Sequence, residues 1–285
     1  MAVALEGKTL RGARKPGAPG VHLLSALSHH IGLTLAQQAV SDTTNASTQG
    51  ETVLRQRVLP GRVCTMDALV TQRHVAQAIV EGGGDDVMLV TKHPPQLHAD
   101  IARALTLPPP GDPPPRARTV DIGHGRIAQR NIPTSEALVG DTEWPGLAQV
   151  LELGRHVLMQ NTGVERVEVV YGVTSLRPER GSPGPLLAFV RGHWHIEHTS
   201  HWGRDVTCDA DRSQVRCGNS PQVMAALRNT AIGVLRWAGH TNIAAACRQL
   251  AAQPAQALAL IGIALESCMT LGAQHPILTA LSLTC

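Results

Sequence analysis

Large aromatic side chains are nearly missing from this chain: it has one Phe, one Tyr and four Trp in 285 residues. Its core must therefore be built from Leu, Val, Ile and Ala, which remove less surface from water per residue than rings do. Lysine is almost as scarce. Lys8, Lys15 and Lys92 are the only ones among 25 basic residues, and the rest are Arg. Few Lys and Phe beside abundant Ala, Arg, Gly and Pro is what a GC-rich coding sequence produces, a mutational bias that carries no function by itself. The six cysteines (Cys64, Cys208, Cys217, Cys247, Cys268 and Cys285) form no CxxC pair, which excludes the common zinc-finger and disulfide-scaffold patterns. No basic segment precedes an apolar stretch near Met1, and the longest apolar run, near residues 255–265, is too short to span a bilayer. The expectation is a soluble cytoplasmic protein with no membrane partner.

What is present is enough hydrophobic sequence, 43%, to bury a core, with only 16% charged residues. The net charge of +3 permits nucleic-acid binding without requiring it. Along the chain, residues 2–6, 21–28, 33–40, 62–66 and 87–91 read as strands. Residues 21–28 and 33–40 form a hairpin around His30-Ile31-Gly32. Residues 48–56 read as a short helix, and 71–81 as a helix ending at Gly82-Gly83-Gly84. Three hairpin-like strands followed by alternating helix and strand predict an α/β fold with a mixed sheet. The run Pro108-Pro109-Pro110-Gly111-Asp112-Pro113-Pro114-Pro115 reads as a loop. Residues 120–132 and 164–176 read as strands, Gly181 to Pro185 as a breaker, and 186–202, 221–237 and 243–250 as helices.

Three acids stand out by position. Glu6 is expected to close the first strand, Asp67 to close the fourth, and Glu197 to sit within a helix. Carboxylates from two strands and a helix can converge to hold divalent metal for phosphodiester chemistry. Each alone is more often a turn or cap residue. His193, Glu197 and His201 fall on one helical stripe, and with His195 and His198 they leave a zinc reading open, though the HExxH spacing is absent.

The words around these residues narrow the choice. Leu5-Glu6-Gly7-Lys8-Thr9-Leu10-Arg11-Gly12 resembles the "DGKTLRGS" opening of a bacterial insertion-sequence transposase family that includes the H-repeat-associated proteins. Val21-His22-Leu23-Leu24-Ser25-Ala26 is similar to its next strand. Thr65-Met66-Asp67-Ala68 with Gln72 resembles its "TIDAMGCQ" segment, and His124-Gly125-Arg126 with Arg130 its "HGRIExR" block. Arg191-Gly192-His193-Trp194, Ile196-Glu197, His201-Trp202 and Asp205-Val206 resemble "RxHWxIENxLHWxLDV". The resemblance runs from about residue 4 to about residue 263. It implies an RNase H-like mixed sheet flanked by helices, with a β-rich insertion before the helix bearing the third acid. The implied division is 1–92 for the first part of the catalytic core, 93–185 for the insertion with its Pro-rich loop, 186–263 for the helical completion and 264–285 for an unassigned tail. By the same resemblance Glu6, Asp67 and Glu197 are the catalytic and metal-holding acids, with Mg²⁺ or Mn²⁺ as cofactor. The implied reaction is cleavage at transposon ends followed by strand transfer into target DNA. Lys8, Arg11, Arg126, Arg130, Arg191 and Arg204 are the implied phosphate contacts. The partners are transposon-end and target DNA, with a homo-oligomer in the DNA complex, in a bacterial cytoplasm at the nucleoid.

The chain also departs from the pattern. Glu6 stands where the family has Asp, which lengthens the first acid by a methylene. Ala128 replaces the acid of the His-Gly-Arg block, and Asn45-Ala46 stands where members read Asn-Glu. The family's N-terminal region is expected ahead of residue 1. A truncated, divergent copy is expected to be weakly active or inactive, and its ring-poor core loosely filled. The alternatives are a catalytically dead, DNA-binding remnant of a transposase and a metallohydrolase built on the His cluster.

Overall fold

The computed structural model describes residues 1–14, 20–40, 60–68, 70–91, 95–106 and 113–263. The helix expected at 48–56 and the tail 264–285 lie outside them. The strands are β1 Ala2–Leu10, β2 Val21–Ser28, β3 Thr34–Val40, β4 Val63–Met66, β5 Asp85–Val90, β6 Arg116–Gly123, β7 Arg126–Ser135, β8 Gln149–Met159 and β9 Glu165–Thr174. The helices are α1 Arg73–Glu81, α2 Pro95–Thr106, α3 Pro183–Trp202, α4 Ser220–Trp237, α5 Ile243–Ala252 and α6 Pro254–Leu260.

All nine strands form one sheet in the order β3-β2-β1-β4-β5-β9-β8-β7-β6. The β1–β2–β3 meander is antiparallel, β1–β4 and β4–β5 are parallel, and the rest of the sheet is antiparallel. A meander followed by parallel strands on the meander's first edge is the RNase H-like arrangement, and the fold is an α/β mixed sheet flanked by helices. Strands β6–β9 are added beyond β5, between that core and α3.

The two faces of the sheet are covered separately. On one, Val75, Ala76 and Ile79 of α1 and Leu97, Ile101 and Ala104 of α2 pack on Val3, Leu5, Cys64, Met66, Met88 and Val90. On the other, Leu186, Leu187 and Val190 of α3 pack on Val63, Val87, Leu89, Ile132, Leu151 and Leu153. Strands covered on both faces need apolar residues on both, which is why β1, β4 and β5 read as nearly continuous apolar runs. The scarce rings contribute little. Trp144 is buried, Tyr171, Phe189 and Trp194 are partly buried, and Trp237 is 78% exposed.

Four expectations need correction. The first strand does not end at Glu6: its antiparallel ladder with β2 carries it to Leu10. Residues 120–132 are not one strand but parts of β6 and β7, joined at His124-Gly125 with φ 52° and 70°. Positive φ at both central residues is what a two-residue hairpin turn requires. The breaker at 181–185 overlaps the first turn of α3, which begins at Pro183, where a missing N–H costs nothing. Finally, β8 and α2 were not expected at all.

One buried acid lies far from the three acids picked out by position. Asp86, in β5, is fully buried, and its Oδ1 accepts a hydrogen bond from the Ser175 amide at 3.2 Å. Its Oδ2 has no partner among the described residues. Burial pushes its pKa up to about 7, although the bonds from Ser175 work against that rise. A carboxyl whose folded-state pKa is raised binds its proton more tightly in the folded protein. Its contribution to stability is complete below pH 3.8 and is lost as pH rises toward about 7. Asp86→Asn, which mimics the protonated form, should therefore be more stable than the parent above neutrality and no more stable near pH 4, as read by urea unfolding at several pH values. Parallel stability curves for the two proteins would show that Asp86 does not titrate on folding.

Candidate active site

Register brings the first two acids together. The parallel ladder between β1 and β4 pairs Ala4 with Thr65 and Leu5 with Met66. The ladder ends there, one residue before Glu6 on β1 and Asp67 on β4, and the charges of both carboxylates reach the buried His193 of α3. Alternation along β1 puts Ala4, Glu6 and Lys8 on the face that α3 covers, where Ala4 packs with Leu27 and Ile196. Glu6 is 8% exposed. Asp67 is the first residue beyond β4 and also fills the bland role open to it: its carbonyl accepts from Thr71 Oγ1 at 2.8 Å and its Oδ1 from the Val70 amide at 3.3 Å. A turn residue and a site residue are compatible here, because the turn is what fixes the carboxylate at the strand end.

The helix α3 supplies the cover. Its buried stripe of Leu186, Leu187, Val190, His193 and Ile196 follows helical spacing. His193 is the polar member. It is 2% exposed, and its Nδ1 lies 3.0 Å from Thr65 Oγ1, which in turn lies 2.7 Å from His29 Nε2. The hydroxyl has one proton, so it donates to one imidazole and accepts from the other. Burial lowers the pKa of His193, while the nearby charges of Glu6 and Asp67 act to raise it. Burial, then the His193 charge, take His29 down to about 4. Close approach of α3 to His29 needs Gly192, where a Cβ would come 2.4 Å from His29 Nδ1.

Glu197 lies on α3 next to the buried Ile196, one turn beyond His193. Its side chain, like those of His198, His201, Trp202 and Arg204, lies outside the described residues. Among the described residues no three His, Cys, Asp or Glu side chains form a metal-holding group. The described histidine of the zinc stripe, His193, gives its Nδ1 to Thr65 instead.

The implied phosphate contacts separate into distinct settings. Arg126, Arg130 and Arg191 line one cleft, joined there by Arg155, which the sequence did not single out. Arg11 is exposed in the short 3-10 turn after β1. Lys8 is buried and ion-paired with Asp205, in the π-helical turn Gly203–Thr207 that follows α3. The pair ties the segment beyond Glu197 to the strand that carries Glu6. His29, Thr65 and Arg155 were missed because only the observed pairing reveals them. A strand at 149–159 would have exposed Arg155, since it faces Arg130 across that ladder.

Comparison with known proteins fits this arrangement. The family described as "Transposase DDE domain" matches residues 2–233. The chain is 27% identical over 248 residues to "Putative transposase YncI" of Escherichia coli O157:H7, covering 82% of this chain and 61% of that protein. It is 27% identical over 247 residues to "H repeat-associated putative transposase YhhI" of Escherichia coli K12, covering 82% of this chain and 63% of that one. The chain thus spans about three fifths of the length of these curated relatives. Among solved structures it is similar to a piggyBac transposase synaptic complex with hairpin DNA, with a TM-score of 0.44 and 11% identity over 84% of this chain and 47% of that one. No helix among the described residues is long and apolar enough to cross a membrane.

Removing one member of the Lys8–Asp205 pair leaves a partly buried charge without its partner, which costs more than the pair itself contributes. Lys8→Met is expected to destabilise the fold by roughly 2–4 kcal/mol, and Lys8→Met with Asp205→Leu should recover most of that loss. The check is a double-mutant cycle in urea; a Lys8→Met loss under about 0.5 kcal/mol would mean that the two charges are effectively solvated.

Proposed function

Because the chain belongs to the transposase DDE domain family, we propose that it acts on the ends of an insertion sequence, by metal-dependent phosphodiester hydrolysis and strand transfer. One observation supports this reading: the β1–β4 ladder ends one residue before Glu6 and Asp67, and both carboxylates lie near His193 of the helix that also carries Glu197. The donor set fits a hard divalent cation. Two carboxylates on adjacent strand ends leave room for water and substrate oxygens, which Mg²⁺ and Mn²⁺ prefer over a closed protein cage. When bound, such ions supply Lewis-acid stabilisation of the attacking and leaving oxygens.

The remaining roles belong to the chain's own groups. Glu6 and Asp67, with Glu197 from α3, would hold the metal. His193 lies near the two strand carboxylates and is fixed by Thr65; burial lowers its pKa, so it would serve there as a neutral, oriented imidazole and not as a counter-charge. Arg11, Arg126, Arg130, Arg191 and Arg204 would hold the DNA backbone through phosphate oxygens, contacts that position a duplex without reading its sequence. Lys8 could join them only by leaving Asp205. The partners on this reading are transposon-end and target DNA, with a second copy of the chain in the DNA complex. The setting is a bacterial cytoplasm at the nucleoid.

A second reading rests on Glu6. With the backbone of β1 fixed at Glu6 by its ladder with β2, a Glu in place of Asp displaces the carboxylate by about a bond length, and misplacement near 1 Å can cost about a hundredfold in rate. The chain would then be a DNA-binding remnant that occupies ends without cutting them.

The experiment joins labelled transposon-end duplexes to plasmid in Mg²⁺ or Mn²⁺. Joining that is lost in Asp67→Ala and rises roughly tenfold to a hundredfold in Glu6→Asp supports the enzyme reading. End-specific binding with no joining by either the parent or Glu6→Asp would leave the remnant.

A further inference from the structure

Four arginines converge where α3 crosses the outer strands. Arg126, Arg130, Arg155 and Arg191 line a cleft of about 390 Å³, walled by Trp194 and His195. Register explains the gathering. β7 faces Arg130 onto Arg155 of β8, and β8 faces Arg155 onto Glu168 of β9. Arg126 lies four residues back on the same face of β7, and Arg191 reaches in from the helix. Two carboxylates compensate them in part. Asp121 pairs with Arg130 and, at 3.2 Å, with Arg191, while Glu168 lies 3.0 Å from Arg155. Arg126 has no acidic partner among the described residues. The Nε groups of Arg130 and Arg155 are buried without partners there as well.

Four guanidinium groups around two carboxylates leave an uncompensated positive charge in a partly enclosed space. A planar guanidinium matches a phosphate in two-point hydrogen bonding, and several can share one phosphate. The Trp194 wall gives the adjoining sugar an apolar surface. The cleft also shares the carboxylates' face of the sheet. Arg155 stands three strands across from Asp67 and four residues further along, a separation on the order of 20 Å. That spans only a few nucleotides of one strand, whose phosphates wind around the axis as they rise about 3.4 Å each.

The geometry points to a subsite for one backbone phosphate of the DNA strand whose cleavage is proposed above, a few nucleotides from the bond at the Glu6–Asp67 end. Asp121 and Glu168 act in it as internal competitors that hold the arginines ready and weaken binding to any site that cannot displace them. The assignment rests on the transposase reading and adds to it Arg155, the two competing carboxylates and a position along the strand.

The test uses the whole chain carrying Asp67→Ala, so that no chemistry intrudes, and a duplex of about 30 base pairs titrated between roughly 50 and 200 mM salt. Arg130→Gln with Arg155→Gln should lower the slope of log affinity against log salt by about 0.9, the share of one phosphate, and Arg155→Gln alone by less, because the remaining arginines still hold that phosphate. Glu168→Gln keeps all four arginines and should tighten binding roughly threefold to tenfold; this arm stands even if an arginine variant fails to fold. An unchanged slope in the double variant overturns the subsite. So does an equal change in Arg118→Gln, whose side chain lies on the opposite face beside Gln129. Tight binding of inorganic phosphate alone, at salt that releases the duplex, would put a free ligand in place of the strand and also overturn it. If the parent joins ends while these slopes stay fixed, the subsite fails alone. If the slopes move and nothing is joined, the active-site reading fails alone.

Discussion

The short parallel ladder between β1 and β4 is the constraint from which the candidate site follows. It is only four residues long and ends at Leu5 and Met66. Beyond it the two strands part: β4 turns away through Asp67 toward α1, while β1 runs on against β2 alone. Where neighbouring strands diverge, the sheet opens a notch, and side chains at the carboxyl ends of parallel strands line it. Glu6 and Asp67 sit at that point. A carboxylate in the continuous part of the sheet would be stripped of water on both sides, as Asp86 is, and would lose its charge. A side chain at the notch stays in reach of a substrate that approaches the end of the ladder.

The helix α3 solves a second problem, which is how to hold charges of opposite sign at fixed places on one face. Its apolar stripe beds on β5, β7 and β8 at one end and on β1 and β2 at the other. That bedding, and not the charges, fixes the helix. Once it is set, Arg191 falls over the arginine-rich outer strands and His193 over the carboxylates. The two residues are adjacent in chemistry-bearing sequence yet serve regions about 20 Å apart. Burial of Leu186, Leu187, Val190 and Ile196 at roughly 1.5–3 kcal/mol each outweighs what a partly exposed ion pair such as Arg191–Asp121 contributes. The ion pairs register the position that packing has chosen.

Much of this was legible in the sequence, and the parts that were not share a cause. The meander, β4, α1 and β5 could be read because their residues alternate or repeat against a single partner and end at turn residues such as Gly82-Gly83-Gly84. Asp67 could be placed because the turn after β4 marks that strand's end, whereas Glu6 was read as a strand end although β1 runs on to Leu10. Reading failed where one segment contained two elements. The His124-Gly125 turn has no Asn-Gly or Asp-Gly signature, so β6 and β7 read as one strand. Pro183 was read as part of a breaker, although proline is well tolerated in the first turn of a helix. Missing β8 hid Arg155 and with it the arginine cleft. The Lys8–Asp205 and Thr65–His193 contacts span 197 and 128 residues, and no local pattern encodes them.

Those long contacts bear on what the departures in sequence mean. The segments that resemble transposases are scattered along the chain, and in the fold they touch one another. The first meets the last through Lys8 and Asp205. The second meets the helical block through Thr65 and His193. The His-Gly-Arg block meets it through Arg130, Asp121 and Arg191. Each contact joins groups that would be costly to bury or crowd unpaired, so loss of either partner would be felt in stability before it was felt in chemistry. The departures lie elsewhere. Ala128 is small and buried in β7, and Glu6 differs from Asp by a methylene. A ring-poor core filled by Leu, Met and Val still closes around these pairs, so a loss of aromatic residues and a loss of site geometry are separate events. On the proposed reading, whether the chain still turns over depends on the length of the Glu6 side chain, one residue beyond the β1–β4 ladder.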